Sequence, residues 1–131
     1  MSKFAKRMKK INKNFRNVLV IGSAFGNLQD LIDTAQTVFV VYPKDDTVRA
    51  KNLIYREELD SANILTDIDF VFIDEEYVHV LPNLQQLWRC AIATIMIEGS
   101  VGNSVDYYKF MKSQRYQVTD IQKNCHVWQI K

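Results

Sequence analysis

The sequence predicts an α/β fold in one domain, a mostly parallel seven-stranded sheet flanked by helices, with an antiparallel C-terminal strand. Two observations carry this prediction. From residue 17 onward, short apolar, β-branched and aromatic runs alternate with stretches whose apolar residues recur at helical spacing, the pattern of parallel strand–helix–strand units. At the end of the chain two strand-like runs are joined by a short polar turn. So short a connection joins antiparallel neighbours, because a parallel crossover needs about a dozen residues. The length agrees, since 131 residues can bury one core without disulfides or metal.

The chain opens on a basic segment. Residues 1–16 carry Lys3, Lys6, Arg7, Lys9, Lys10, Lys13 and Arg16 and no acid, although the formal net charge of the whole chain is only +2. Phe4, Met8, Ile11 and Phe15 recur at helical spacing, so the segment reads as an amphipathic helix. Two readings stand. The stripe can pack on the domain with its lysines in solvent, or the basic face can meet RNA, DNA or an anionic membrane surface.

The remaining elements follow in order. The run "NVLVIG" (17–22) is continuously apolar, as expected of a strand covered on both faces. In "NLQDLIDTA" (27–35), Leu28, Leu31, Ile32 and Ala35 fall on one helical face. "TVFVVYP" (37–43) is a strand stopped by Pro43, "DDTVRAKN" (45–52) reads as one or two helical turns, and "LIYREE" (53–58) as a third strand. "DIDFVFIDEE" (67–76) reads as a fourth strand, with a strong strand pattern. "LPNLQQLWRCAI" (81–92) reads as a helix with Pro82 near its start. "ATIMIEG" (93–99) is the fifth strand, and "NSVDYYKFMKSQ" (103–114) a helix opened by capping residues. There one of Tyr107 and Tyr108 should pack and the other face out, while Trp88 and Trp128 are expected in the core. "YQVTDIQK" (116–123) and "HVWQIK" (126–131) form the closing hairpin.

Composition narrows the classes. With 47% hydrophobic and 24% charged residues the chain has the make-up of a soluble globular protein. No apolar run approaches the roughly 20 residues that span a bilayer. No secretion signal is read after the basic start, so a cytoplasmic protein is expected. Cys90 and Cys125 have no metal-ligand spacing and read as reduced thiols. His79 and His126 stand apart and read as surface or packing residues. No Ser/His/Asp or Cys/His arrangement supports hydrolase chemistry.

Ligands of open α/β sheets sit at the carboxyl ends of the strands, where strand order reverses. The turn after the first strand here is Gly22-Ser23-Ala24-Phe25-Gly26, a G-x-A-x-G spacing. It serves either a cofactor loop or a plain structural turn, since glycine is also used for positive φ and close packing. Asp74, Glu75 and Glu76 close the fourth strand, and read either as a solvated acidic end or as a site for an amine, a metal or a cofactor.

The segments "VLVIGSAFG", "DIDFVFIDEEY", "ATIMIEG" and "YYKFMKSQRYQVTDI…HVWQIK", in this order over residues 17–131, resemble the class I S-adenosylmethionine-dependent methyltransferase family. The resemblance implies a three-layer, Rossmann-like sandwich whose last, antiparallel strand inserts between the two before it. It implies S-adenosylmethionine as cofactor and methyl transfer as activity, with Gly22, Ser23, Ala24 and Gly26 in the cofactor loop. The chain departs from the family pattern at several positions. Ala24 replaces the middle glycine, Val20 stands where an acid usually precedes the loop, and Tyr42 and Pro43 hold the place of the ribose-binding acid. Asp45 and Asp46 follow just beyond, with Asp45 the candidate ribose partner. Glu57 and Glu58 hold the adenine-side position. Asp74 is the candidate catalytic residue, in a context without the prolines of the amino-methylating enzymes. With Glu98 it could ligate Mg²⁺, a low-specificity pairing from which no metal is assigned. The alternative is a domain that has lost activity and works as a binding or scaffolding module, nucleic-acid-associated through Lys3, Lys6, Arg7, Lys9, Lys10 and Lys13.

Overall fold

Val18, Leu19, Val20 and Ile21 are all fully buried, which only a strand at the centre of a two-sided sheet achieves. They belong to β1 (Asn17–Ile21), the middle of a seven-stranded sheet. The computed structural model describes Lys6, Lys10 and residues 15–22, 28–59, 68–90, 92–98, 104–122 and 125–130, with 104–106 and 120–122 described by backbone alone. Along the chain, β1 is followed by α1 (Leu28–Thr34), β2 (Thr37–Val41), β3 (Leu53–Arg56) and β4 (Phe70–Ile73). A 3₁₀ helix (Glu75–Asn83), α2 (Gln85–Trp88), β5 (Thr94–Glu98), α3 (Ser104–Ser113), β6 (Tyr116–Gln122) and β7 (Cys125–Ile130) complete it.

The strand order is β3-β2-β1-β4-β5-β7-β6. The first five strands pair in parallel, whereas β7 is antiparallel to both neighbours, Met96 facing Val127 on one side and Val118 facing Trp128 on the other. The last strand therefore inserts between the two before it. This is the Rossmann-like arrangement of class I methyltransferases, as the resemblance implies.

Alternation along each strand sends side chains to two cores, one on each face. Leu19, Ile21, Val71, Ile73, Ile95 and Trp128 pack under the 3₁₀ helix, α2 and α3 through Leu81, Leu87 and Met111. Val18, Val20, Val38, Phe70 and Phe72 pack with Leu31 and Ile32 of α1 and with Phe15, whose ring lies 4.8 Å from that of Phe70. Phe15 is the one member of the N-terminal stripe within the described residues. Phe4, Met8 and Ile11 lie outside them, so the packing of the stripe as a whole is not described.

Several expectations need correction. Residues 45–50 form no helix. Asp45 Oδ1 accepts from the amide of Thr47 at 2.9 Å and from its hydroxyl at 2.7 Å, and such local bonds compete with helical ones. The fourth strand is only four residues long, because Asp74 leaves the sheet and caps the 3₁₀ helix, accepting from Glu75 N at 2.7 Å. Pro82 lies within that 3₁₀ helix rather than opening an α-helix, and the expected helix over 81–92 shrinks to α2. Both tyrosines of α3 pack. Tyr107 is buried, and Tyr108, half-buried, meets the Trp128 ring at 5.1 Å. Trp128 is core, but Trp88 is only half-buried and donates from Nε1 to Leu81 O at 2.7 Å.

Candidate functional site

The chain runs outward from β1 to β2 and β3 on one side, then returns to start β4 on the other. The carboxyl ends of β1 and β4 therefore flank the point where strand order reverses. Gly22 closes β1 there. Its N–H donates to Val41 O at 2.9 Å, and its φ is +108°, a conformation that L side chains rarely adopt. A Cβ at this position would stand 2.4 Å from Asp74 Cβ and 2.9 Å from Asp74 Oδ2. Glycine is required here by packing as well as by backbone. Ser23, Ala24 and Gly26 of the candidate cofactor loop lie outside the described residues.

Asp74 is 1% exposed, which splits the acidic strand end. Glu75 and Glu76 are solvated, as one reading held, but Asp74 is not. Its backbone N–H donates to Ile21 O at 2.9 Å and its carboxylate caps the following helix. Glu76 pairs with Lys44 at 2.7 Å on the surface, and this contact raises the Lys44 pKa. Glu98, ending β5, has its Oε2 buried with no hydrogen-bond partner among the described residues. Burial first, then the charges of Asp74 and Glu75, push its pKa up to about 7. Among the described residues no group of three or more His, Cys, Asp or Glu is placed to hold a metal ion.

At the end of β2, Tyr42 adopts φ 55°. Its ring stacks on Tyr77 at 5.8 Å between centroids. The Tyr77 hydroxyl donates to Tyr42 O at 3.2 Å, and Leu59 N–H donates to the Tyr42 hydroxyl at 3.4 Å. These contacts tie the ends of β2, β3 and β4 together. Tyr42 also lines a cavity of about 370 Å³ with Leu59 after β3 and Leu84 between the 3₁₀ helix and α2. Glu58 and Arg89 line it too, both otherwise exposed. Asp45 is exposed and bound to Thr47, which lowers its pKa. Glu57 is exposed on the bend after β3. Of the candidate cofactor residues, then, Glu58 reaches the cavity, Gly22 the strand crossing, and Asp45 neither.

Tyr77, Leu84 and Arg89 carry no sequence signal of a site. Only the departure from an acid at Tyr42 marks the place. Beneath α3, His126 is 1% exposed and hydrogen-bonds the Tyr107 hydroxyl through Nδ1, a packing role, while His79 is exposed. Of the basic set, Lys6 and Lys10 are helical and exposed, whereas Lys3, Arg7, Lys9 and Lys13 lie outside the described residues. No helix among the described residues is long and apolar enough to cross a membrane.

Solved methyltransferases share this fold. MycE methyltransferase from the mycinamycin biosynthetic pathway, in complex with Mg, SAH and mycinamycin VI, matches with a TM-score of 0.67 and 15% identity over 97% of this chain. The chain spans only 45% of MycE. The N-methyltransferase NodS from Bradyrhizobium japonicum WM9 matches with a TM-score of 0.66 and 10% identity, over 98% of this chain and 93% of that one. Magnesium protoporphyrin IX methyltransferase (ChlM) from Synechocystis PCC 6803, with bound SAM, gives 0.67 and 11%, over 97% and 76%. Identities this low bear on fold alone. No protein-family model and no curated protein sequence matches the chain.

Proposed function

We propose that this chain binds S-adenosylmethionine at the carboxyl ends of its strands and transfers the methyl group to an acceptor. The observation that carries the reading is the cavity at the carboxyl ends of β2 and β3, on a fold shared with methyltransferases. Its lining fits a nucleoside. Tyr42, Leu59 and Leu84 offer aromatic and apolar surface, and the side-chain amides of Asn83, Gln85 and Gln86 offer donors and acceptors to a base edge. In this reading Glu58 takes the nucleoside, and Gly22 with Ser23, Ala24 and Gly26 forms the backbone cradle for the rest. Asp45 and Glu57 hold no part of it, and Tyr42 stands at the ribose in place of a carboxylate.

The cofactor supplies an electrophilic methyl on a sulfonium. What the protein must add is an acceptor held in line and, where the acceptor carries a proton, a base. Glu98 Oε2 is suited to the second task, since a carboxyl with a pKa of about 7 exchanges a proton near neutral pH. Asp74, its carboxylate held by the cap to Glu75, is one of the groups that raise the Glu98 pKa.

Calorimetric titration of S-adenosylmethionine and S-adenosylhomocysteine into the protein tests the reading. Both should bind, and Gln85→Trp, which crowds the cavity from an exposed position, should weaken both by about tenfold or more, a loss of ~1.4 kcal/mol. No heat at millimolar ligand refutes it.

A further inference from the structure

The geometry points to a phosphorylated ligand for the same cavity: a nucleotide with an amino-bearing base, its phosphate on Arg89 and its exocyclic amine on Glu58. The inference rests on the nucleoside reading of the cavity, but not on methyl transfer.

In open α/β sheets an acid closing the second strand accepts hydrogen bonds from the ribose hydroxyls. Where a phosphate replaces a hydroxyl, an arginine accommodates it. Here β2 is followed by Tyr42, which is uncharged and held by the Tyr77 ring and by Leu59 N–H. Asp45, the next acid along the chain, turns its carboxylate to Thr47. The residue that closes β2 is therefore uncharged.

Arg89 lies just beyond α2 and lines the cavity, and it makes no ion pair among the described residues. Its planar fork suits phosphate oxygens better than any neutral group in the lining. Glu58 lines the same cavity, yet the two opposite charges are not paired with each other. A bare nucleoside would leave Arg89 unused. A simple anion would leave Glu58 unpartnered. A ligand with an anion and an amine donor separated by a flat ring satisfies both, with Tyr42, Leu59 and Leu84 against the ring.

The test is calorimetry with adenosine, 2′-AMP, 3′-AMP, 5′-AMP, 5′-IMP and S-adenosylmethionine, on the unmodified protein, Arg89→Gln and Glu58→Gln. Both substituted positions are exposed, and unchanged urea midpoints confirm that the variants fold. At least one AMP isomer should bind about tenfold tighter than adenosine, since hydrogen bonds to charged groups are among the stronger ones. That advantage should vanish in Arg89→Gln. The preference for 5′-AMP over 5′-IMP should vanish in Glu58→Gln. AMP isomers no tighter than adenosine, or either preference surviving its substitution, overturn the inference. Binding of S-adenosylmethionine without an AMP advantage defeats this inference alone. An AMP advantage without S-adenosylmethionine binding supports it and defeats the cofactor reading alone.

Discussion

Replacing Gly22 by alanine tests the packing at the strand crossing. Two separate penalties arise. The backbone there has φ +108°, and holding an L residue in so sparsely populated a region costs ~1–3 kcal/mol. The new methyl would also meet Asp74 Cβ at 2.4 Å. Asp74 cannot easily withdraw, because its N–H is bonded to Ile21 O and its carboxylate to Glu75 N, so the overlap adds ~1–3 kcal/mol. A total of about 4 kcal/mol is a large fraction of the ~5–15 kcal/mol typical of a domain. With a urea m-value of ~2 kcal/mol/M, the midpoint should fall by about 2 M. Asp74→Gly removes the obstructing Cβ together with the cap, a loss of ~1 kcal/mol by itself. In the double variant the overlap is gone and only the backbone penalty and the lost cap remain. The cycle should therefore show ~1–3 kcal/mol of favourable coupling. A Gly22→Ala midpoint within about 0.3 M of the parent, or strict additivity with Asp74→Gly, refutes the account.

Two further expectations concern half-buried carboxylates. Glu98 has a folded pKa of about 7 against an ordinary 4.5, so the stability it contributes is complete below 4.5 and is lost as pH rises through 7. Glu98→Gln should thus gain on the parent protein between pH 4.5 and 8, by about 1 kcal/mol once solvent screening of this half-buried side chain is allowed for. Urea midpoints that stay parallel across this range contradict it. Asp69 accepts from Arg16 N at 2.9 Å and Asn17 N at 3.1 Å, tying the entry of β1 to that of β4. Asp69→Ala should destabilise by ~2 kcal/mol and Asp69→Asn by about half as much, and a loss under ~0.5 kcal/mol for the alanine sheds doubt on neither fold nor site but refutes the tie.

The legible part of this molecule is the part set by burial. The unbroken run Val18–Ile21 gives a strand covered on both faces, and Tyr116–Gln122 with Cys125–Ile130 gives the antiparallel hairpin. Elements whose length depends on a competing side-chain bond were not legible. Asp45 diverts its segment from helix by bonding Thr47, and Asp74 ends β4 early by capping the 3₁₀ helix. Both residues are acids near strand ends, and only the structure tells which is buried and which solvated. The cavity was illegible for another reason. Tyr42, Leu59 and the Leu84–Arg89 segment come from three separate stretches of chain, and no spacing along the sequence brings the three together.

Gly22 illustrates how the two kinds of information divide. Its identity is demanded by φ and by Asp74, so glycine would stand there in a fold with or without a ligand. The first glycine of the G-x-A-x-G turn is therefore weak support for a cofactor, however well it matches in position. Tyr42 carries more weight because no such necessity acts on it. Its φ of 55° would suit glycine or asparagine better than a bulky aromatic ring. The side chain must therefore contribute something that offsets the strain, and its stack on Tyr77, its hydroxyl at Leu59 N–H and its place on the cavity wall are the contributions in view. A residue strained in order to shape a cavity says more about ligand choice than a glycine required by packing. The choice of ligand in this fold is thus best sought at the ends of β2 and β3.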